Sequence, residues 1–154
     1  MRAVSLSPLP ASGTRLLPQA LGWLQRALRH EFAASRQFTL QAAVARRLGE
    51  SALADESMAA AAEELTHARL LAEALHAAGV ACSEGAAPGF PVGRTATELL
   101  ACAIDTEAEA VRLYRAAAAA CTASAPAAQL FAQIGAEEAG HLALLQQRLR
   151  GRGG

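Results

Sequence analysis

The chain contains no lysine and no asparagine, and all 14 of its basic residues are arginines. Alanine is abundant alongside them, which points to genomic base composition rather than a selected surface chemistry, so no function is drawn from the arginines. They are balanced by 14 acidic residues, which leaves no basic excess for nucleic acid or an anionic membrane surface. Cysteine is scarce: Cys82, Cys102 and Cys121 form an odd set with no CxxC pair. That disfavours a disulfide framework, a zinc ribbon or a rubredoxin-like iron site and fits a reducing cytoplasm, with each cysteine expected as a small buried or half-buried residue. The opening MRAVSLSPLPASGTRLLP lacks the continuous apolar stretch of a secretory signal. An uncharged run over 116–136 is broken by Pro126, two glutamines, Ser124 and Thr122, which argues against a membrane span. Strand-like alternation of β-branched residues is also missing.

What remains is helix. A length of 154 residues suits one domain, and turn signals divide it into a flexible tail over 1–17, a bundle over 18–150 and a short tail over 151–154. The first helix is expected from about Pro18 to Leu48, stopped by Gly49, and the second from about Ser51 to Ala78, stopped by Gly79. A Gly/Pro-rich connection follows, VACSEGAAPGFPVG, and then TATE at 95–98, a capping box with Thr95 as N-cap and Glu98 reaching back. That box opens a third helix over about Ala96–Ala120. Ser124 and Pro126 open a fourth, expected to last until roughly Arg150, where GRGG ends it. The fold class is all-α, a four-helix bundle. Short joins make the first two and the last two helices antiparallel hairpins, whereas the connection over 80–94 is long. Helices of about 28 residues run roughly 42 Å and a 14-residue link spans up to about 46 Å, so one long crossover can join helices 2 and 3 along the length of the bundle.

Each helix places a carboxylate in its inward stripe. On the first, Glu31 falls among Leu24, Leu28, Ser35, Phe38, Ala42 and Ala45; on the second, Ala60, Glu64, His67, Leu71 and Leu75 share a face. The third presents Leu100, Ala103, Glu107, Ala110 and Tyr114, and the fourth Ile134, Glu138, His141 and Leu145. Four ionised carboxylates in an apolar core would cost many kcal/mol and repel one another unless protonated, hydrated or neutralised. Two divalent cations neutralise four such charges. Residues three apart share a helix face, so Glu64/His67 and Glu138/His141 can each offer an oxygen and a nitrogen to one ion, with Glu31 and Glu107 helping to bridge or cap both. One Glu from each of two helices with ExxH from each of the others is the pattern of di-iron and di-manganese carboxylate bundles, and such donors also accept zinc. Glu63 and Glu137, one turn before the histidines, are expected to accept the other ring N–H of His141 and His67 respectively, each across the bundle. His30 and His76 fall off this pattern and are expected at the surface.

Through ALRHEFAASRQF, EELTHARLLAEALHAAG, AIDTEAEAVRLYRAA and IGAEEAGHLALL the chain resembles bacterioferritin, over roughly residues 20–150, with a small deletion near CTASAPAA. The resemblance implies a ferritin-like four-helix bundle whose ferroxidase ligands are Glu31, Glu64, His67, Glu107, Glu138 and His141. It implies two iron ions in a di-iron centre, Fe(II) oxidised by oxygen or hydrogen peroxide, storage of the ferric product and a homo-oligomer, at least a dimer. Haem is not expected, because Leu65 stands where the family has its haem-ligating Met, and Met58 lies nearly two turns away. Phe38 stands where the family commonly has a Tyr, and Tyr114 reads as a core aromatic. Thirteen residues follow His141, so the family's short fifth helix is expected to be missing and a large cage is not assured. Two other functions fit the same residues: a non-storing di-iron oxidase or peroxidase of rubrerythrin-like type, disfavoured by the missing CxxC pairs, and a metal-stabilised helical interaction module.

Overall fold

A computed structural model describes residues 16–83, 85 and 89–152. The tail expected over 1–17 lies, apart from its last two residues, outside the described residues, as do residues 153–154. Four helices follow in order, α1 (Pro18–Arg47), α2 (Ser51–Ala77), α3 (Ala96–Ala120) and α4 (Ala125–Arg152), with no strand among the described residues. The fold is the ferritin-like four-helix bundle that the sequence implies.

Local chemistry sets most helix ends where the turn signals predict them. Gly49 and Gly79 take positive φ, 78° and 75°, and close α1 and α2 as only a residue without Cβ does cheaply. Thr95 accepts a hydrogen bond from the Glu98 N–H at 3.2 Å, while Glu98 reaches back to the Arg94 N–H at 2.8 Å. The end of α4 differs from expectation: it runs through Gly151 to Arg152, whose guanidinium is paired with both carboxylate oxygens of Glu50 at 3.0 and 2.5 Å. That link joins the last turn of α4 to the start of α2, and one glycine is tolerated within a helix.

α1 packs along α2 and α3 along α4 as antiparallel hairpins, with α1 also against α3. The crossover between α2 and α3 is tied to α1. Gln37 donates to the Pro91 carbonyl at 2.8 Å and accepts from Thr106 at 2.6 Å, and Gln41 donates to the carbonyls of Val92 and Leu99 at 3.2 and 3.0 Å. Those bonds tie the irregular segment to α1, and the one to Leu99 ties α1 to the first turn of α3. They also explain a correction: His30 is not a surface residue but buried, edge-on to Phe90 of the crossover at 5.2 Å between ring centroids. His76 is exposed, as expected. Of the cysteines, Cys121 is buried and Cys102 half-buried, but Cys82 is exposed on the crossover, where no helix covers it.

The core is unevenly distributed along the bundle axis. Towards the start of α1 it is dense, with Leu24, Leu28, Leu71, Leu75, Tyr114, Phe131 and Ile134 all essentially inaccessible. Towards the start of α2 the fully buried residues are fewer and smaller, with Ala45, Ala54, Leu53, Leu99 and Leu100 in one group and Ala34, Phe38, Ala61 and Ala103 in another. No residue of α4 beyond Glu138 is buried. Between these two halves lies the carboxylate layer. No described helix is long and apolar enough to cross a membrane.

Candidate metal centre

Glu31, Glu64, Glu107 and Glu138 are each at most 2% exposed, and His67 is 1% exposed. His141 is half-buried. All six residues singled out from the inward stripes therefore meet in one layer, one carboxylate per helix. Their donor atoms fall into two nests, Glu31, Glu64, His67 and Glu138 in one and Glu64, Glu107, Glu138 and His141 in the other, with the atoms of each within 4.8 Å of one another. Glu64 and Glu138 belong to both. Sharing thus falls to the two glutamates of the ExxH motifs, and Glu31 and Glu107 each serve one nest. The reason lies in the register: Glu64 and Glu138 face each other across the bundle between the two histidines, while Glu31 and Glu107 stand at the outer ends of the layer.

The histidines are held from behind as the spacing predicts. His67 Nε2 lies 3.0 Å from Glu137 Oε2, and His141 Nε2 lies 3.1 Å from Glu63 Oε2. Each contact crosses from one hairpin to the other, and each leaves the Nδ1 atom turned into the layer. His67 Nδ1 is 2.8 Å from Glu138 Oε1, 3.6 Å from Glu64 Oε2 and 3.9 Å from Glu31 Oε2; His141 Nδ1 is 3.6 Å from Glu138 Oε2.

The electrostatics of this layer are strongly coupled. Burial, reinforced by the charges of Glu138 and Glu31, pushes the Glu64 carboxyl well above the usual carboxylate range. Burial and the neighbouring Glu138 do the same to Glu107. Glu138 goes the other way: burial opposes its ionisation, but His141 and His67 beside it hold it below the usual range. Burial opposes charge on His67 too, yet Glu138, Glu31 and Glu64 together raise its pKa, and Glu138 raises that of His141 against burial. In the metal-free layer Glu64, Glu107, His67 and His141 therefore hold their protons more tightly than free groups do, while Glu138 gives its proton up more readily.

Hydrogen bonding gives a sharper test of what the layer is built to hold. The buried Nδ1 atoms of His67 and His141, Oε2 of Glu31, Oε1 of Glu64 and both oxygens of Glu138 have no hydrogen-bond partner. His67 Nδ1 and Glu138 Oε1 are near enough for one, but their geometry does not direct a proton between them. Buried polar atoms are almost always satisfied, and a convergent set that is not has its lone pairs turned towards common points. Two cations at those points would satisfy the six atoms and balance the four negative charges. The donor set, oxygens with one imidazole per nest, suits a first-row divalent metal.

Sequence reasoning missed one residue of the site. Tyr114, expected as an ordinary core aromatic, is fully buried and its hydroxyl donates to Glu31 Oε1. Burial and the charge of Glu31 raise its pKa well above normal, so it stays the donor. The signal was present: Tyr114 stands seven residues after Glu107 on the same face. Gly135 of α4 makes room for it, since a Cβ there would meet the Tyr114 Cβ at 2.9 Å. Leu65, by contrast, is half exposed on the outer side of α2.

Comparison with known proteins leads to the same place. Residues 22–151 match the profile of the ferritin-like domain. No curated protein matches the sequence. Among solved structures, Rhodobacter capsulatus bacterioferritin, determined with a metal-free dinuclear site and a haem iron in a crystallographic special position, superposes with a TM-score of 0.82. The superposition covers 85% of this chain and 83% of that one at 22% identity, a likeness of fold. On the match over nearly its whole length, the chain belongs to the ferritin-like domain family, with the four-helix architecture of a bacterioferritin.

Proposed function

We propose that the chain is a bacterioferritin-like ferroxidase that takes Fe(II) as substrate and yields Fe(III), with oxygen or hydrogen peroxide as the electron acceptor, in the service of iron storage and detoxification. The observation that carries the reading is the pair of donor nests sharing Glu64 and Glu138. Two ions held on common carboxylates are close enough to give up electrons to one acceptor together, and each bound iron supplies one electron on passing from ferrous to ferric.

The protein's own part is to hold and orient. Glu31 and His67 would complete one position, and Glu107 and His141 the other. Tyr114 keeps one oxygen of Glu31 occupied, which leaves the other, Oε2, facing the nest. Glu137 and Glu63 accept the Nε2 protons and so fix each imidazole in the tautomer that offers Nδ1 to a metal. Burial excludes bulk water from the Glu31 side, and the glutamates release whatever protons they hold when a cation enters. A haem is not part of this reading, because Leu65 offers no sulfur ligand. The assembly is proposed to be a homo-oligomer of at least two chains, acting in the cytoplasm.

The test is to load anaerobic protein with Fe(II), admit oxygen or peroxide, and follow ferric absorbance against the iron-to-chain ratio, with sizing alongside. Continued oxidation far beyond two irons per chain in a large assembly supports storage. A halt at two irons indicates a resident di-iron cofactor of the rubrerythrin-like kind, and failure to bind iron leaves only a structural module. Glu138→Ala removes the carboxylate common to both nests and should abolish rapid oxidation while the bundle stays helical; an unchanged rate would show that the chemistry lies elsewhere.

A further inference from the structure

The hollow half of the bundle holds a cavity of about 770 Å³ on the seam between α2 and α4. Its volume lies within the roughly 300–1,000 Å³ of small-molecule sites. The cause is side-chain size. Where the dense half fills the axis with Leu71, Leu75, Phe131 and Tyr114, the hollow half lines it with Ser57, Ala60 and Ala103. Phe38, Leu53, Leu99, Leu100 and Leu145 complete apolar walls. The inner end reaches Glu107 and His141 of the carboxylate layer, with Glu63 beside them. At the outer end Arg148 and Arg152 of α4 also line the cavity, and each is already matched, Arg148 to Glu56 at 2.5 Å and Arg152 to Glu50 at 2.5 Å.

We propose that this cavity binds an uncharged, elongated aliphatic molecule, of the class of a medium-chain alcohol, with its hydroxyl towards Glu63 and its chain along the leucine walls. Charge decides the class. The two arginines at the outer end are cancelled by two glutamates, so nothing there holds an anionic head, and the carboxylates at the inner end repel one. A cation entering head first would lose its hydration along apolar walls several side chains long. A neutral chain loses little water and gains apolar contact all along its length. A hydroxyl at its tip would donate to Glu63, a carboxylate 45% exposed in the same cavity. The site goes beyond iron oxidation: its apolar walls are residues that hold no metal, and only its inner end, Glu107 and His141, is shared with the carboxylate layer.

Isothermal titration of the full chain, as purified and without added iron, tests this with 1-hexanol, 1-octanol and 1-decanol, and with decanoate and decylammonium as charged arms. The expected result is saturable binding of one alcohol per chain, tightening by about fourfold per added methylene, the usual gain for burying a CH₂ group, and at least about tenfold weaker binding of both ions. Ala60→Phe fills the cavity and should abolish binding with the helical circular dichroism retained. If that variant does not fold, Ala59→Trp, at an exposed position on the cavity edge, serves as the plug. Absence of saturable decanol binding would overturn the proposal, as would charged arms binding as tightly as the alcohol, or alcohol binding that survives the folded plug. A plug that changes the sedimentation coefficient would show that a second copy of the chain occupies the groove, and would overturn it equally.

Discussion

The two halves of the bundle on either side of the carboxylate layer are built from the same four helices yet differ in how they are held. On the Glu31/His67 side, leucines and aromatics from all four helices close the axis, and cohesion comes from apolar burial. On the Glu107/His141 side, alanines, a serine and an end of α4 with no fully buried residue leave the axis partly empty. There α4 packs through the partly buried Leu145 and Leu149, and it meets α2 in the ion pairs of Arg148 with Glu56 and Arg152 with Glu50. Close apolar packing leaves few voids and makes each core residue count, whereas exposed ion pairs contribute little and cost little to break. One half therefore supplies the stability and the other supplies access. The layer between them inherits both: the His67 nest is shut, and the His141 nest opens on a cavity.

Substitutions should expose that difference, beginning with the largest effect. Phe131→Ala in the dense half removes a fully buried aromatic and should cost about 3–5 kcal/mol in urea unfolding. Leu145→Ala, half-buried on the wall of the cavity, should cost about 1 kcal/mol, the transfer cost of partly exposed methylenes; equal losses at the two sites would erase the distinction. Metal affinity sharpens it next. Glu137→Gln removes the negative charge of the acceptor behind the shut His67 and should weaken metal binding about 10–100-fold. Glu63→Gln, acting on His141 from a position 45% exposed against 22% for Glu137, should weaken it less, as calorimetric titration with Mn(II) or Zn(II) would show. Gly135→Ala forces a methyl against Tyr114 and should destabilise by about 1–3 kcal/mol, although alanine is otherwise the better helix former; a stabilised variant would mean that α3 and α4 are not in close contact there.

The metal-free layer should also carry a pH dependence of definite sign. Glu64, Glu107, His67 and His141 all have pKa values raised by folding. The folded chain then binds more protons than the unfolded one above the ordinary Glu and His values, so these groups lose stabilising effect as pH rises. Glu138, whose pKa is lowered, contributes the reverse only at acid pH, below the usual carboxylate range. The thermal midpoint of the metal-free chain should accordingly fall between about pH 5 and about pH 8, while divalent metal, which displaces those protons, should bind more tightly over the same range. A midpoint that rises with pH would contradict the assignment. Arg148→Ala should give the smallest effect, since its pair with Glu56 is exposed on both sides; a large loss would show that ion pairs carry the open half after all.

Much of the candidate centre was legible in the chain itself, because a helix converts spacing into direction. Glu64 and His67, three apart, could only share a face, and Glu31 and Glu107 fell inside runs of apolar residues where a solvated carboxylate does not belong. The cross-bundle partners Glu137 and Glu63 followed from the same step of one turn. His30 was misjudged because its face of α1 is covered by Phe90 from a segment with no periodicity to predict its path. Tyr114 was placed on the right face but without its partner, since Glu31 is 83 residues away. Cys82 was expected to be covered, and no helix passes over it.

The sequence by itself determined the four helices, their hairpin order and the face each presents, since these depend on neighbours within a turn or at a cap. Only the tertiary structure decided which carboxylates two nests would share, which hydroxyl holds Glu31, and that one half of the axis stays open. Those outcomes depend on axial register and on how far apart the axes settle, quantities that arise from side chains of different helices meeting and that no single helix encodes.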